Sequence, residues 1–281
     1  MVPAFDCYQG YGRVNWKLVA ASGVRAVWIK CGEGNEPARD DTAYRRNVDE
    51  ARANGIAVGA YFFAYPLPHG PGKPVGRSPI EQAGRFFEIT GGLGSRPGEL
   101  SPAFDFEWPP PNEWAKWGCD AEQLSDWGRE FCEAVTLLWG RLPVIYTYPW
   151  WWKALSAGAD VEWAGRYPLW MASYTHPGPG IPAEGKAPPV PAPWRDWAVW
   201  QYSADGSKER VPGVPVSPVD RDVVKDEETL RSLMNERVWD PDADTQPSVR
   251  PPVVQTPDFA TVTRLPGSIA NDDDEPPPTA A

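Results

Sequence analysis

Short apolar runs alternate with segments of helical periodicity along most of this chain, and that alternation restricts its fold more than any other feature. The runs fall at residues 2–6, 25–31, 57–64, 102–107, 143–148, 168–172, 198–202 and 216–223. Helical patterns lie between them at 15–21, 41–54, 79–89, 121–139 and 149–157. The first opens on Asn15, whose side chain can cap free amides, and the second stops at Asn54-Gly55. The fifth begins with Pro149, in the first turn, where a missing N–H does no harm. Strand–helix–strand units set successive strands parallel through right-handed crossovers. Eight of them predict an α/β fold, a closed, modified TIM-like barrel of eight strands and about five helices, with a doubly wound open sheet as the structural alternative. After residue 157 the pattern thins, so the closing section should be poor in helix, with a last helix over 225–237 packed on the barrel. The segment 239–281 is rich in Pro and Asp and has no periodicity, which predicts a disordered tail behind a catalytic-sized domain at 1–238.

Charge and cysteine placement exclude several classes. The net charge is −11, and 239–281 holds seven Asp and one Glu against two Arg, leaving −5 on the rest. Such a chain is not expected to bind nucleic acid. No run of eighteen apolar residues exists, so no membrane insertion is expected, and MVPAFDCYQG has neither the basic nor the apolar part of a secretory leader. Cys119 and Cys132 flank or sit in one predicted helix, thirteen residues apart, about 20 Å at helical rise, too far for a disulfide. Cys7 and Cys31 could meet if their strands are neighbours. The only histidines, His69 and His176, sit in proline-rich loops and there is no Cys/His cluster, so neither a metal nor another cofactor is expected.

The stretch SPAFDFEWPPP, residues 101–111, carries two carboxylates in an otherwise apolar run. Residues two apart on a strand share a face, so Asp105 and Glu107 project together while Phe104 and Phe106 project the other way. Their Cα atoms would be roughly 7 Å apart, and in a pocket of low dielectric one of the two should keep its proton near neutral pH. A protonated carboxyl beside an ionised one is what glycoside cleavage requires. A structural pair held by Arg or backbone amides is the plainer alternative. Asp6 at the end of the first run and Asp220 in the last belong to strands that adjoin in a closed barrel. All four acids could therefore converge on one mouth, ringed by the long loops 66–78, 108–119 and 175–196.

The ordered set of short motifs resembles glycoside hydrolase family 25, the Chalaropsis-type lysozymes common among phage endolysins. The matching pieces are FDCYQG with Asp6 and Gln9, VWIKCGEG with Lys30 and Glu33, GIAVGAYFF with Tyr61, and AFDFE with Asp105 and Glu107. They continue with VIYT and Tyr146, LWMASY with Trp170 and Tyr174, AVWQYS with Gln201, and VDRD with Asp220. Family 18 chitinases share a DxE on their fourth strand, but their longer motif needs aspartates where this chain has Leu100 and Ala103. The chain departs from the family-like pattern in its longer, proline-rich loops and at Asp222, where an Asn often follows the last-strand aspartate; Asp220 and Asp222 share a face by strand alternation, so either or both could face the site.

The resemblance implies hydrolysis of the β-1,4 bond between N-acetylmuramic acid and N-acetylglucosamine in bacterial peptidoglycan. It makes Glu107 the general acid and then base, Asp105 the group that polarises the substrate N-acetyl, and Asp6 and Asp220 stabilisers of positive charge. A carboxylate acting directly as nucleophile is the competing version. Tyr61, Tyr146, Trp170, Tyr174 and Gln201 are expected to line the sugar groove, while the consecutive Trp150, Trp151 and Trp152 read as core packing. Without a visible leader, such an enzyme would remain in a host cytoplasm until released through a holin, or travel on a virion, and act as a monomer. A barrel that binds glycan without cutting it, or a structural part of a virion, would be the rival readings.

Overall fold

A computed structural model describes residues 1–66, 78–175, 180–182, 187–204, 210–216 and 219–234, all within one compact unit. The expected tail at 239–281, both histidines and parts of two long loops lie outside the described residues. Eight strands close into a barrel in chain order: β1 (Val2–Cys7), β2 (Ala26–Glu33), β3 (Ala57–Phe63), β4 (Ala103–Asp105), β5 (Val144–Thr147), β6 (Leu169–Ala172), β7 (Val199–Ser203) and β8 (Arg221–Val224). The open-sheet alternative is thereby set aside.

The five expected helices are α1 (Trp16–Ala21), α2 (Tyr44–Ala53), α3 (Pro79–Thr90), α5 (Ala121–Trp139) and α6 (Pro149–Ser156). Asn15 caps α1 by accepting from the Leu18 amide at 3.2 Å, and Pro149 occupies the first turn of α6. A capping box formed by Asp120 and Gln123 starts α5. Two further helices occur: α4 (Trp114–Trp117) inside the loop after β4, and α7 (Glu227–Leu233) near the expected position. The α4 turn had no periodicity long enough to show in sequence. Pro109 O anchors this loop by accepting from both the Trp114 and Trp151 indoles at 2.8 Å.

Strand direction differs in one place from a uniformly parallel barrel. Strands β1 to β7 pair in parallel, but β8 runs antiparallel to both β7 and β1. No helix links β7 to β8 among the described residues, and a loop return does not impose the parallel crossover that a helix does. The last strand also begins at Arg221, later than the expected 216. Reversal puts the start of β8 beside the C-terminal ends of the other strands.

Two apolar cores flank the barrel wall. The outer one packs Phe5, Phe62, Phe104 and Phe106 against helix residues such as Phe86, Phe131, Trp151 and Trp152. The inner one, with Val2, Trp28, Val144, Trp170 and Val224, continues onto Leu230 and Leu233 of α7. Gly59 makes room for it, because a Cβ there would lie 2.8 Å from the Trp28 indole. Buried Arg141 closes that end, donating to Gly94 O, Glu99 O and Leu233 O at 2.7–2.9 Å. All four cysteines are free thiols, so Cys7 and Cys31 do not pair. No described helix is long and apolar enough to cross a membrane.

Candidate active site

Inward residues near the C-terminal ends of β1 to β7 open onto one cavity of about 220 Å³. Asp6 and Tyr8 come from β1 and the residue after it, Lys30 from β2, Tyr61 and Phe63 from β3, and Asp105 and Glu107 from β4 and its exit. Tyr146, Trp170 and Gln201 follow from β5, β6 and β7. Asp220, just before β8, joins them because that strand is reversed. The two-residue periods Asp6–Tyr8, Tyr61–Phe63 and Asp105–Glu107 are strand alternation turned into a shared pocket.

Strand β4 ends at Asp105, earlier than expected, yet the Phe106 amide still donates to Tyr146 O at 2.9 Å and keeps the chain extended. Glu107 therefore stays on the cavity side, while Phe104 and Phe106 stack at 4.6 Å on the outer side. The expected four acids do converge. Of the five expected sugar contacts, Tyr61, Tyr146, Trp170 and Gln201 line the cavity. Trp170 is its floor, only 2 % exposed, edge-on to Tyr61 and Tyr146 and 5.1 Å from Trp28. Tyr174 is not part of the lining; it stands exposed at the rim with its hydroxyl donating to Gln201 Oε1 at 2.7 Å.

Hydrogen bonds order the acids. Tyr146 Oη also donates to Gln201 Oε1, at 3.0 Å, so the amide nitrogen of Gln201 points the other way and donates to Asp6 Oδ2 at 2.7 Å. Tyr11 Oη donates to Asp220 Oδ2 at 3.0 Å and accepts from the Asp220 amide at 2.9 Å. Asp222 shares the inward face with Asp220 but lies deeper, buried, with Trp170 Nε1 donating to its Oδ1 at 2.9 Å. Asp220 is thus the cavity aspartate. Asp105 Oδ1 is buried and has no hydrogen-bond partner among the described residues, an acceptor left open toward whatever enters.

Burial raises the pKa of every carboxyl in the cluster, and mutual repulsion adds to it. Glu107 is pushed from 4.5 to about 7 by burial first and Asp220 second, with Lys30 opposing. Asp105 is raised well above its ordinary value by burial, then by Glu107. Asp6 is raised by burial, then by Asp220 and Asp222, with the Gln201 bond opposing. Asp220 is raised by burial, opposed by its bond from Tyr11. Lys30, the cation of the lining, is itself engaged by Glu33 at 2.6 Å, which also pairs with Arg39 at 2.5 Å. Such a set can hold one carboxyl protonated at neutral pH beside ionised neighbours. Among the described residues no group of three or more His, Cys, Asp or Glu is placed to hold a metal ion.

Tyr8, Lys30 and Phe63 were not singled out as cavity residues from the sequence. A lysine at the inward phase of the apolar run AVWIKCG was a signal for one of them. The expectation for the tryptophan triplet holds for two of its members. Trp151 and Trp152 are fully buried, but Trp150 is 58 % exposed and lies parallel to Tyr148, with ring centroids 6.1 Å apart. Helical rotation places neighbours on different faces, and the third indole has no core left to enter.

Comparison with known proteins agrees with this geometry. The family model described as Glycosyl hydrolases family 25 matches residues 5–213. Lysozyme M1 of Streptomyces globisporus is 31% identical over 214 residues, 76% of this chain and 64% of that protein, so the chain spans just under two thirds of that relative. The N,O-diacetylmuramidase of Chalaropsis sp is 27% identical over 217 residues, 75% of this chain and 94% of that protein. Among solved structures, the bacterial lysozyme from Streptomyces coelicolor superposes with a TM-score of 0.67 at 28% identity, covering 84% of this chain and 97% of that one. The muramidase from Acremonium alcalophilum gives 0.65 at 28% identity, covering 84% and 100%.

Proposed function

Because the chain belongs to glycosyl hydrolases family 25, we propose that it is a lysozyme that hydrolyses the β-1,4 bond between N-acetylmuramic acid and N-acetylglucosamine in bacterial peptidoglycan. One observation carries this reading. Glu107, with a pKa raised to about 7, shares a cavity with Asp105, Asp6 and Asp220.

Glu107 donates its proton to the leaving oxygen as the glycosidic bond breaks. The substrate's own N-acetyl oxygen attacks the anomeric carbon, and the open Asp105 Oδ1 accepts the acetamido N–H and stabilises the cyclic cation that forms. Water then attacks the same carbon, Glu107 takes its proton, and the product keeps the starting configuration. Asp6 and Asp220 add negative potential where positive charge develops. The aromatic floor of Trp170 with Tyr61 and Tyr146 suits the C–H face of a sugar.

Mass spectrometry of fragments from digested walls tests the assignment. Muramic acid at the reducing end is the expected product, released by wild type and not by Glu107→Gln. Glucosamine at that end, anhydro-sugars or cut peptides would overturn it, and wall binding without fragments would favour a non-catalytic glycan-binding barrel. A phage endolysin that reaches the wall through a holin, acting as a monomer, is the biological setting we infer. It rests on the likeness of the ordered motifs from FDCYQG to VDRD to the lysozymes common among phage endolysins, and lysis by the expressed protein only when a holin is co-expressed is its test.

A further inference from the structure

Below the cavity floor lies a carboxyl that the proposed reaction does not use. Asp222 is 1 % exposed. Its strand neighbours are Ala4 of β1 and Gln201 of β7. Oδ1 accepts from Trp170 Nε1 at 2.9 Å, and Oδ2 is buried without a partner of the ordinary donor kind among the described residues. The group it faces is another carboxyl, Asp6, within hydrogen-bonding reach. Around the pair, β7 supplies the neutral Gln201 and β6 the neutral Trp170, while the charged neighbours are further acids, Asp220 from the lead into β8 and, on the Asp6 side, Asp105 of β4. No cation is among the groups acting on Asp222.

An ionised carboxylate in that position would have one indole bond, no counter-ion and two like charges beside it, which is heavily unfavourable when buried. A single proton between the two carboxyls removes the conflict. Asp6 Oδ2 accepts from Gln201 and Asp222 Oδ1 accepts from Trp170, so each carboxyl has one oxygen outside these bonds through which to share that proton, Oδ2 in the case of Asp222. We propose that Asp222 is a positioning residue whose carboxyl shares a single proton with that of Asp6 and, with Gln201, fixes Asp6 at the cavity floor. The inference rests on the reading of this cavity as the active site. Burial raises Asp222 well above an ordinary aspartate and Asp220 adds to it, while the bonds with Trp170 and Asp6 oppose it; Asp6 is raised as well, by burial and then by Asp220 and Asp222.

Asparagine reproduces the geometry without the titration. Its amide can donate to Asp6 while its oxygen accepts from Trp170, so Asp222→Asn is the rescue variant and Asp222→Leu, with neither polar atom, is the loss variant. Infrared difference spectra at about pH 8, taken between Glu107→Gln and the Glu107→Gln/Asp222→Asn double variant, remove Glu107 from the signal. The expected result is loss of one protonated-carboxyl C=O band in the double variant. In otherwise wild-type protein, Asp222→Asn should retain most of the wall-clearing kcat, whereas Asp222→Leu should lose roughly tenfold or more, as expected for withdrawal of a hydrogen bond to a buried charge. No band difference, or equal losses in the Asn and Leu variants, overturns the proposal. Should the Leu variant fail to fold, the infrared difference decides alone. That difference requires no activity, so it reads separately from failure of the lysozyme assignment.

Discussion

Replacing Glu107 by Gln should abolish turnover and at the same time make the protein more stable, by an amount that depends on pH. Below about pH 4 this carboxyl is neutral in both folded and unfolded chains. As pH rises the unfolded chain ionises first, near 4.5, while the folded protein holds its proton until about 7. Between those values folding therefore loses stability with rising pH, and above 7 the loss is complete. Two and a half pH units at about 1.4 kcal/mol each amount to roughly 3 kcal/mol. The substituted glutamine has no proton to lose and stays neutral throughout. In a chain of this size each kcal/mol shifts the midpoint by about 2–4 °C, so the variant should melt roughly 6–12 °C above wild type at about pH 8. At about pH 3.5, where both states hold the proton, the two should melt together to within experimental error. Paired calorimetric scans across that range are the assay. A constant offset at all pH values would mean that Gln acts through packing or hydrogen bonding. No offset at all would mean that Glu107 ionises as easily in the fold as in water, and the general-acid assignment would lose its electrostatic basis.

Two other expectations follow from the same geometry. The kcat/KM for wall hydrolysis should fall on an alkaline limb centred near pH 7, where Glu107 gives up its proton; a rate still rising at about pH 9 would contradict it. Arg141→Met should destabilise the fold by roughly 3 kcal/mol or more, because the carbonyls of Gly94, Glu99 and Leu233 lose a charged donor while staying buried. Urea titration reads this, and an unchanged midpoint would show that α7 does not depend on that contact.

What could be read from the amino-acid order, and what could not, divides along one physical line. Local periodicity placed all eight strands and the helices α1, α2, α3, α5 and α6, because alternation and capping act between residues close in sequence. Period two also put Asp105 and Glu107 on one face. The direction of the last strand was not legible, since it depends on a loop return that carries no helical crossover to enforce parallel pairing. That single reversal settles the ambiguity between Asp220 and Asp222. Alternation says only that they share a face. In a parallel β8 the later residue, Asp222, would be nearer the mouth. Running the strand the other way lifts Asp220 to the cavity and sends Asp222 beneath it, against Asp6 and Trp170. The strand's direction therefore decides which of two equivalent-looking aspartates can meet a sugar and which can only steady the one that does.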